Sequence, residues 1–126
     1  ISGWSGATLK WKHAAKRALS RVLPYRPMDG GRQLLDTEYK NGEWDYLRNL
    51  DELSRFSVVV GYCHHLKPRG AILEVGCGEG LLESRLDPAR VGRYLGVDIA
   101  PEAIARAGVR RRPGVDFVAA DALEFK

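Results

Sequence analysis

Glu74, Gly76, Gly78, Gly80, Asp98 and Asp121 have types and spacings that imply a binding site. Leu73-Glu74-Val75 ends a short apolar run that passes straight into Gly76-Cys77-Gly78-Glu79-Gly80, with glycine at every second position. Glycines so placed leave no Cβ between backbone and ligand, and they accept the positive φ of a tight strand-to-helix turn. An acid closes the next apolar run at Gly96-Val97-Asp98, and another closes the one after, at Val118-Ala119-Ala120-Asp121. A nucleotide-like ligand is implied. The spacing argues against a dinucleotide, whose fingerprint G-x-G-x-x-G needs a third glycine for close helix–strand packing. Here that position is Leu81, and Glu74 at the strand end would repel a pyrophosphate.

The elements that must position these residues follow from the apolar pattern. Lys67-Pro68-Arg69-Gly70 turns the chain into a strand over Ala71–Val75; a helix is expected over about Leu81–Leu86 and a strand over Tyr94–Asp98. Pro101 suits the first turn of a helix reaching about Ala107, and a last strand spans Asp116–Ala120. Strands alternating with helices mean an α/β fold with a parallel, doubly wound sheet. In such sheets ligands bind beyond the carboxyl ends of the strands, which brings Glu74, Asp98 and Asp121 to one crevice. Upstream, Asp51 is placed to cap a helix reaching about Leu66, with Leu53, Phe56, Val59, Val60 and Cys63 inward. Tyr39, Trp44 and Tyr46 alternate with acids in the segment before it. Thr8–Leu23 reads as an amphipathic basic helix stopped by Pro24, and Pro24–Gly31 as a linker. Three parts result: a basic N-terminal helix and linker over 1–34, a helical cap segment over 35–66, and a binding region over 67–126.

Glu74-Val75-Gly76-Cys77-Gly78-Glu79-Gly80, followed by Gly96-Val97-Asp98 and Ala119-Ala120-Asp121-Ala122, resembles the class I S-adenosylmethionine-dependent methyltransferases. The resemblance covers residues 68–126 and, more loosely, Tyr39–Leu66. It implies a Rossmann-like sheet and S-adenosylmethionine as cofactor, whose ammonium and sulfonium suit an acidic strand end. Gly76, Cys77, Gly78 and Gly80 would bring the loop against the methionine part, with Glu74 orienting the loop or meeting the ammonium. Asp98 would accept both ribose hydroxyls, Ile99 would pack on the adenine, and Asp121 with the Ala122 N–H would meet the adenine edge. Tyr39 and Trp44 would close over the cofactor from the cap segment. In the family the sheet has seven strands and the fourth adjoins the first. This chain reaches Lys126 with three, so the sheet is expected to be truncated after the third strand and the sequence to be a fragment whose natural start is missing. The first strand becomes an open edge through which chains could self-associate. A catalytic base is expected after the fourth strand, so no catalytic residue is assigned.

Composition narrows the partners. At 126 residues, 44% hydrophobic and 29% charged, the chain fits one globular domain, and no apolar run is long enough to span a membrane. Two cysteines, Cys63 and Cys77, argue against a disulfide framework and suggest a cytoplasmic setting. The net charge of +4 is unevenly spread: residues 1–34 hold seven basic side chains against Asp29 alone, while the remainder carries a slight acidic excess. With no nucleic-acid recognition motif, the expected acceptor is a small molecule and no nucleic-acid partner is expected. Cys63-His64-His65 lacks a further ligand at metal spacing, and no metal is expected. Arg110-Arg111-Arg112 reads as a solvated turn. Two other functions stay open: a non-catalytic binding or scaffold protein on the same fold, and a nucleotide-dependent oxidoreductase, disfavoured by Leu81 and Glu74.

Overall fold

The computed structural model describes residues 31–66 and 69–124; the expected Thr8–Leu23 helix lies outside them. Helix α1 (Gly31–Lys40) leads through a 3-10 turn (Asp45–Arg48) into helix α2 (Leu50–Leu66). Strand β1 (Gly70–Val75), strand β2 (Val91–Asp98), helix α3 (Pro101–Gly108) and strand β3 (Val115–Ala119) follow. The strands are parallel in the order β1-β2-β3, with Ile72 opposite Tyr94 and Tyr94 opposite Val115. Among the described residues both β1 and β3 are therefore edges, and Val75 at the end of β1 is half exposed.

Alternation along the strands sorts the apolar residues onto two faces. One face carries Ile72, Tyr94, Val115 and Phe117, and receives Val60 and Cys63 from α2 and Ile104 and Ala107 from α3. Tyr94 and Phe117 meet there edge to face, with ring centroids 5.7 Å apart. The other face carries Leu95 and Val97, packed with Leu73, Val118 and Ala120. Among the described residues, the helices that pack on the sheet do so from the first face. The α/β, Rossmann-like arrangement is as expected, seen here from one side.

Three local expectations are corrected. The segment after the glycine loop forms turns and a short 3-10 element, Glu83–Arg85, instead of a helix over Leu81–Leu86. Leu50 already belongs to α2, so Asp51 lies in its first turn, and Val59 points to solvent. The three arginines expected in a solvated turn are instead engaged. Arg110 donates to the Glu79 carbonyl at 2.6 Å, Arg111 donates to the Phe117 carbonyl at 3.3 Å, and Arg112 pairs with the buried Glu83.

Candidate functional site

The carboxyl ends of β1 and β2 build one half of the site from backbone. As β1 ends, the Gly76 and Cys77 N–H groups both donate to the Val97 carbonyl, at 2.8 and 3.1 Å, and the Gly78 N–H donates to Asp98 Oδ2 at 2.8 Å. Three successive loop amides are thus consumed by the end of β2. Those three amides are therefore not free to cradle a phosphate. Gly76 sits at φ 74° with open space where a Cβ would point, and Gly78 at φ 52° with the Tyr39 hydroxyl 2.5 Å from that position. Both conformations favour glycine; Gly76 leaves the loop's surface open, and Gly78 makes room for the Tyr39 hydroxyl. Gly80 serves the core instead, since a Cβ there would lie 3.0 Å from the Phe117 ring.

The cap segment supplies the opposite wall. Tyr39 is buried and stacks on Trp44 with centroids 5.8 Å apart, and Trp44 stacks in turn on Tyr46. A cavity of about 250 Å³ lies between Tyr39, Trp44, Leu47 and Phe56 on one side and Glu74, Gly76 and Gly78 on the other. Cys77 also lines it, while its buried side chain packs into the core. Asp98, Ile99, Asp121 and Ala122 do not line this cavity. They lie at or just beyond the ends of β2 and β3, where Asp98 touches the loop through Gly78. Asp98 Oδ1 also accepts the Ala100 N–H at 2.9 Å, and Asp121 Oδ1 accepts the Leu123 N–H at 2.9 Å.

Two acids, Glu74 and Glu79, line the cavity, and Arg55 lines it from α2. Glu74 accepts the Tyr94 hydroxyl, and among the described residues no lysine or arginine pairs with Glu74 or with Asp98. Burial pushes the Glu74 carboxyl up to about 7, against the Tyr94 hydrogen bond and with help from the charges of Asp98 and Glu83. Burial likewise raises the Tyr39 phenol and the Cys77 thiol, with the neighbouring acids adding to both. Glu79 behaves oppositely: its hydrogen bonds with Arg48 hold it below the ordinary carboxylate value. These features fit a cationic, hydroxyl-bearing ligand. Glu74 offers a carboxylate to an ammonium and would repel a pyrophosphate, and Asp98 keeps lone pairs for hydroxyls.

The arginine pairs around the loop went unseen in the sequence. The one signal was Glu79 itself, a charge between two glycines in a loop that must be buried to touch a ligand, and so in need of a cation. His64 Nε2 accepts the Asp87 N–H at 2.9 Å, which gives the Cys63-His64-His65 run a structural contact.

Residues 72–126 match the family described as a methyltransferase domain. The mRNA cap guanine-N(7) methyltransferase of Cryptococcus neoformans is 38% identical over 64 residues, which are 48% of this chain and 10% of that protein. The solved N-methyltransferase NodS from Bradyrhizobium japonicum, in complex with S-adenosylhomocysteine, is 28% identical with a TM-score of 0.57; the match covers 66% of this chain and 43% of NodS. The plantazolicin methyltransferase BpumL shares the fold at 19% identity and a TM-score of 0.59, over 96% of this chain and 46% of its own. The chain thus spans a tenth of the curated relative and under half of each solved one.

Proposed function

Residues 72–126 belong to the class I methyltransferase family, and from that premise we propose that the protein binds S-adenosylmethionine and transfers its methyl group to an acceptor. One observation carries the reading: two carboxylates without cationic partners among the described residues, Glu74 and Asp98, flank a glycine loop whose Gly76, Cys77 and Gly78 amides are bonded to the end of β2. A positively charged nucleoside fits that wall, and a dinucleotide does not. Bound S-adenosylmethionine supplies a methyl group on an electrophilic sulfonium. The chain's own residues bind and orient it and keep water out. Glu74 takes the ammonium, Gly76, Cys77 and Gly78 line the methionine part, and Tyr39 and Trp44 cover it. Asp98 takes the ribose hydroxyls, Ile99 packs on the adenine, and Asp121 with the Ala122 N–H reads its edge.

For the acceptor we propose a small molecule, in keeping with the slight acidic excess of residues 35–126. The likeness to a cap guanine methyltransferase favours a second reading, a guanine acceptor in capped RNA. A cytoplasmic location goes with either, supported by two free cysteines and by the lack, among the described residues, of a helix long and apolar enough to cross a membrane. Calorimetry decides the cofactor: S-adenosylhomocysteine should bind and NAD should give no heat. Binding of NAD alone would overturn the proposal. A cap analogue that is methylated by the intact protein would move the acceptor to the second reading.

A further inference from the structure

Glu79 is the most deeply buried acid of the glycine loop, and its partner comes from far away in the chain. Both carboxylate oxygens accept from Arg48, Nε to Oε1 at 2.5 Å and Nη2 to Oε2 at 2.5 Å, while the Glu79 side chain is only 7% exposed. This is the fork-to-fork geometry that only arginine offers a carboxylate. Arg48 ends the 3-10 turn Asp45–Arg48, directly after Trp44 and Leu47, which form the outer wall of the cavity. A second arginine reaches the same place from α3. Arg106 donates to the Tyr39 carbonyl at 2.5 Å and to Asp45 Oδ1 at 3.2 Å, and lies 3.8 Å from Glu79 Oε2. Asp36 of α1 accepts the Glu102 N–H at the start of α3, at 2.7 Å.

We propose that Arg48 is a positioning residue: its bidentate pair with Glu79 latches the aromatic cap onto the glycine loop, and that closure gives the cofactor cavity its outer wall. The inference rests on the S-adenosylmethionine reading for its functional half. Its mechanical half stands on the contacts alone. The first part of the cap, from α1 through the 3-10 turn, contributes no residue to the sheet's core clusters and buries Tyr39 against Ala100 and Ala103, so charge pairs hold it shut. Without Arg48, the Glu79 carboxylate would be left with the more distant Arg106, while Arg110 stays on its carbonyl, and a buried carboxylate short of its partner draws in water. Trp44 and Leu47 would then swing from the loop.

The test uses the intact protein with every tryptophan other than Trp44 changed to Phe, Trp4 and Trp11 among them, so that Trp44 alone fluoresces. In the ligand-free protein, Arg48→Met should increase quenching of Trp44 by acrylamide and speed hydrogen exchange over residues 37–49, with exchange in β2 unchanged. Affinity for S-adenosylhomocysteine should fall at least ten-fold, and Arg48→Lys should fall between, since one ammonium cannot make both bonds. Glu79→Gln should act in the same direction, and the two losses should not add, because both break one contact. A merely structural role would lower the unfolding temperature while leaving Trp44 protection and affinity as they were, and that result would overturn the latch. If the parent bound no S-adenosylhomocysteine, the functional reading would fail, yet the Trp44 and exchange measurements would still decide the latch.

Discussion

The inner wall of the cavity hangs on backbone hydrogen bonds from Gly76, Cys77 and Gly78 to the end of β2, whereas the outer wall, residues 39–56, hangs on side chains that meet across long stretches of sequence. The first kind of support is local in space and specified by the strand pairing that carries it. The second depends on a handful of long, charged side chains whose loss leaves the strands intact. A binding site assembled this way has one wall as stiff as the sheet and one that can open. Substitutions in the inner wall should therefore abolish binding by changing shape. Those in the outer wall should weaken it by changing how often the cavity is closed.

The largest effect should come from the inner wall. Gly78→Val places a branched side chain at φ 52°, with the Tyr39 hydroxyl 2.5 Å from its Cβ. Strain at such a position costs about 1–3 kcal/mol, and the displaced Tyr39 would take the cap with it. Affinity for S-adenosylhomocysteine should fall by at least ~100-fold, about 3 kcal/mol, while circular dichroism keeps the helix and strand signal. Binding that survives this change would mean the loop does not touch the ligand, and the contrast between the walls would lose its meaning.

Asp98→Ala comes next. It removes the proposed ribose acceptor and also frees the Gly78 and Ala100 N–H groups. The expected loss of affinity is roughly 2–3 kcal/mol, the scale of charge-assisted hydrogen bonds. Asp98→Asn separates the two roles, since its single carbonyl oxygen can still accept one of the amides. If the Asn variant bound as tightly as the parent, Asp98 would be a loop brace and nothing more.

The inner wall was legible in the sequence, while of the outer wall the aromatic residues Tyr39 and Trp44 were and their anchoring was not, for the same physical reason that the walls differ in stiffness. Apolar runs ending in Gly76-Cys77-Gly78, Asp98 and Asp121 announce strands, a turn and their order, because each depends on residues adjacent in the chain. The strands came out within three residues of their observed bounds at either end. The segment around the 3-10 element Glu83–Arg85 looks helical in sequence because its apolar neighbours, Leu81, Leu82 and Leu86, suit either form. What could not be read was pairing at a distance. Arg48 with Glu79, Arg106 with Tyr39, and Arg112 with Glu83 join residues 29 to 67 positions apart, and each arginine taken alone looks like a solvated charge.

A smaller effect should appear with pH and tests whether Glu74 faces the ligand. Its folded carboxyl titrates near 7 instead of 4.5, so the folded protein holds that proton more tightly than the unfolded chain does. Without ligand this contribution to stability is present at low pH and lost as the pH rises from 4.5 to about 7. An ammonium at Glu74 favours the ionised form, so binding behaves oppositely. Affinity for S-adenosylhomocysteine should fall roughly ten-fold from pH 8 to pH 6, and Glu74→Gln should flatten the profile. A profile that Glu74→Gln leaves unchanged would remove Glu74 from the ligand's surroundings and assign it to Tyr94 alone.

The smallest effect should lie at the far end of the outer wall, where Phe56 sits between two guanidinium groups. Arg85 lies 4.9 Å from the centre of its ring and Arg55 5.3 Å, and Phe56 lines the cavity. Arg85 also donates to the Leu81 carbonyl at 2.6 Å, tying the segment after the glycine loop to α2 through the ring it covers. A cation on an aromatic face near solvent contributes roughly 0.5–1 kcal/mol. Arg85→Met keeps most of the apolar stem against Phe56 and removes the charge and the donor. Urea unfolding should show a stability loss of roughly 1 kcal/mol, while affinity for S-adenosylhomocysteine stays within about two-fold, since Arg55 still covers the ring. An affinity loss as large as that of Arg48→Met would show that closure of the cap is shared along its whole length, and the latch at Glu79 would then be one anchor among equals.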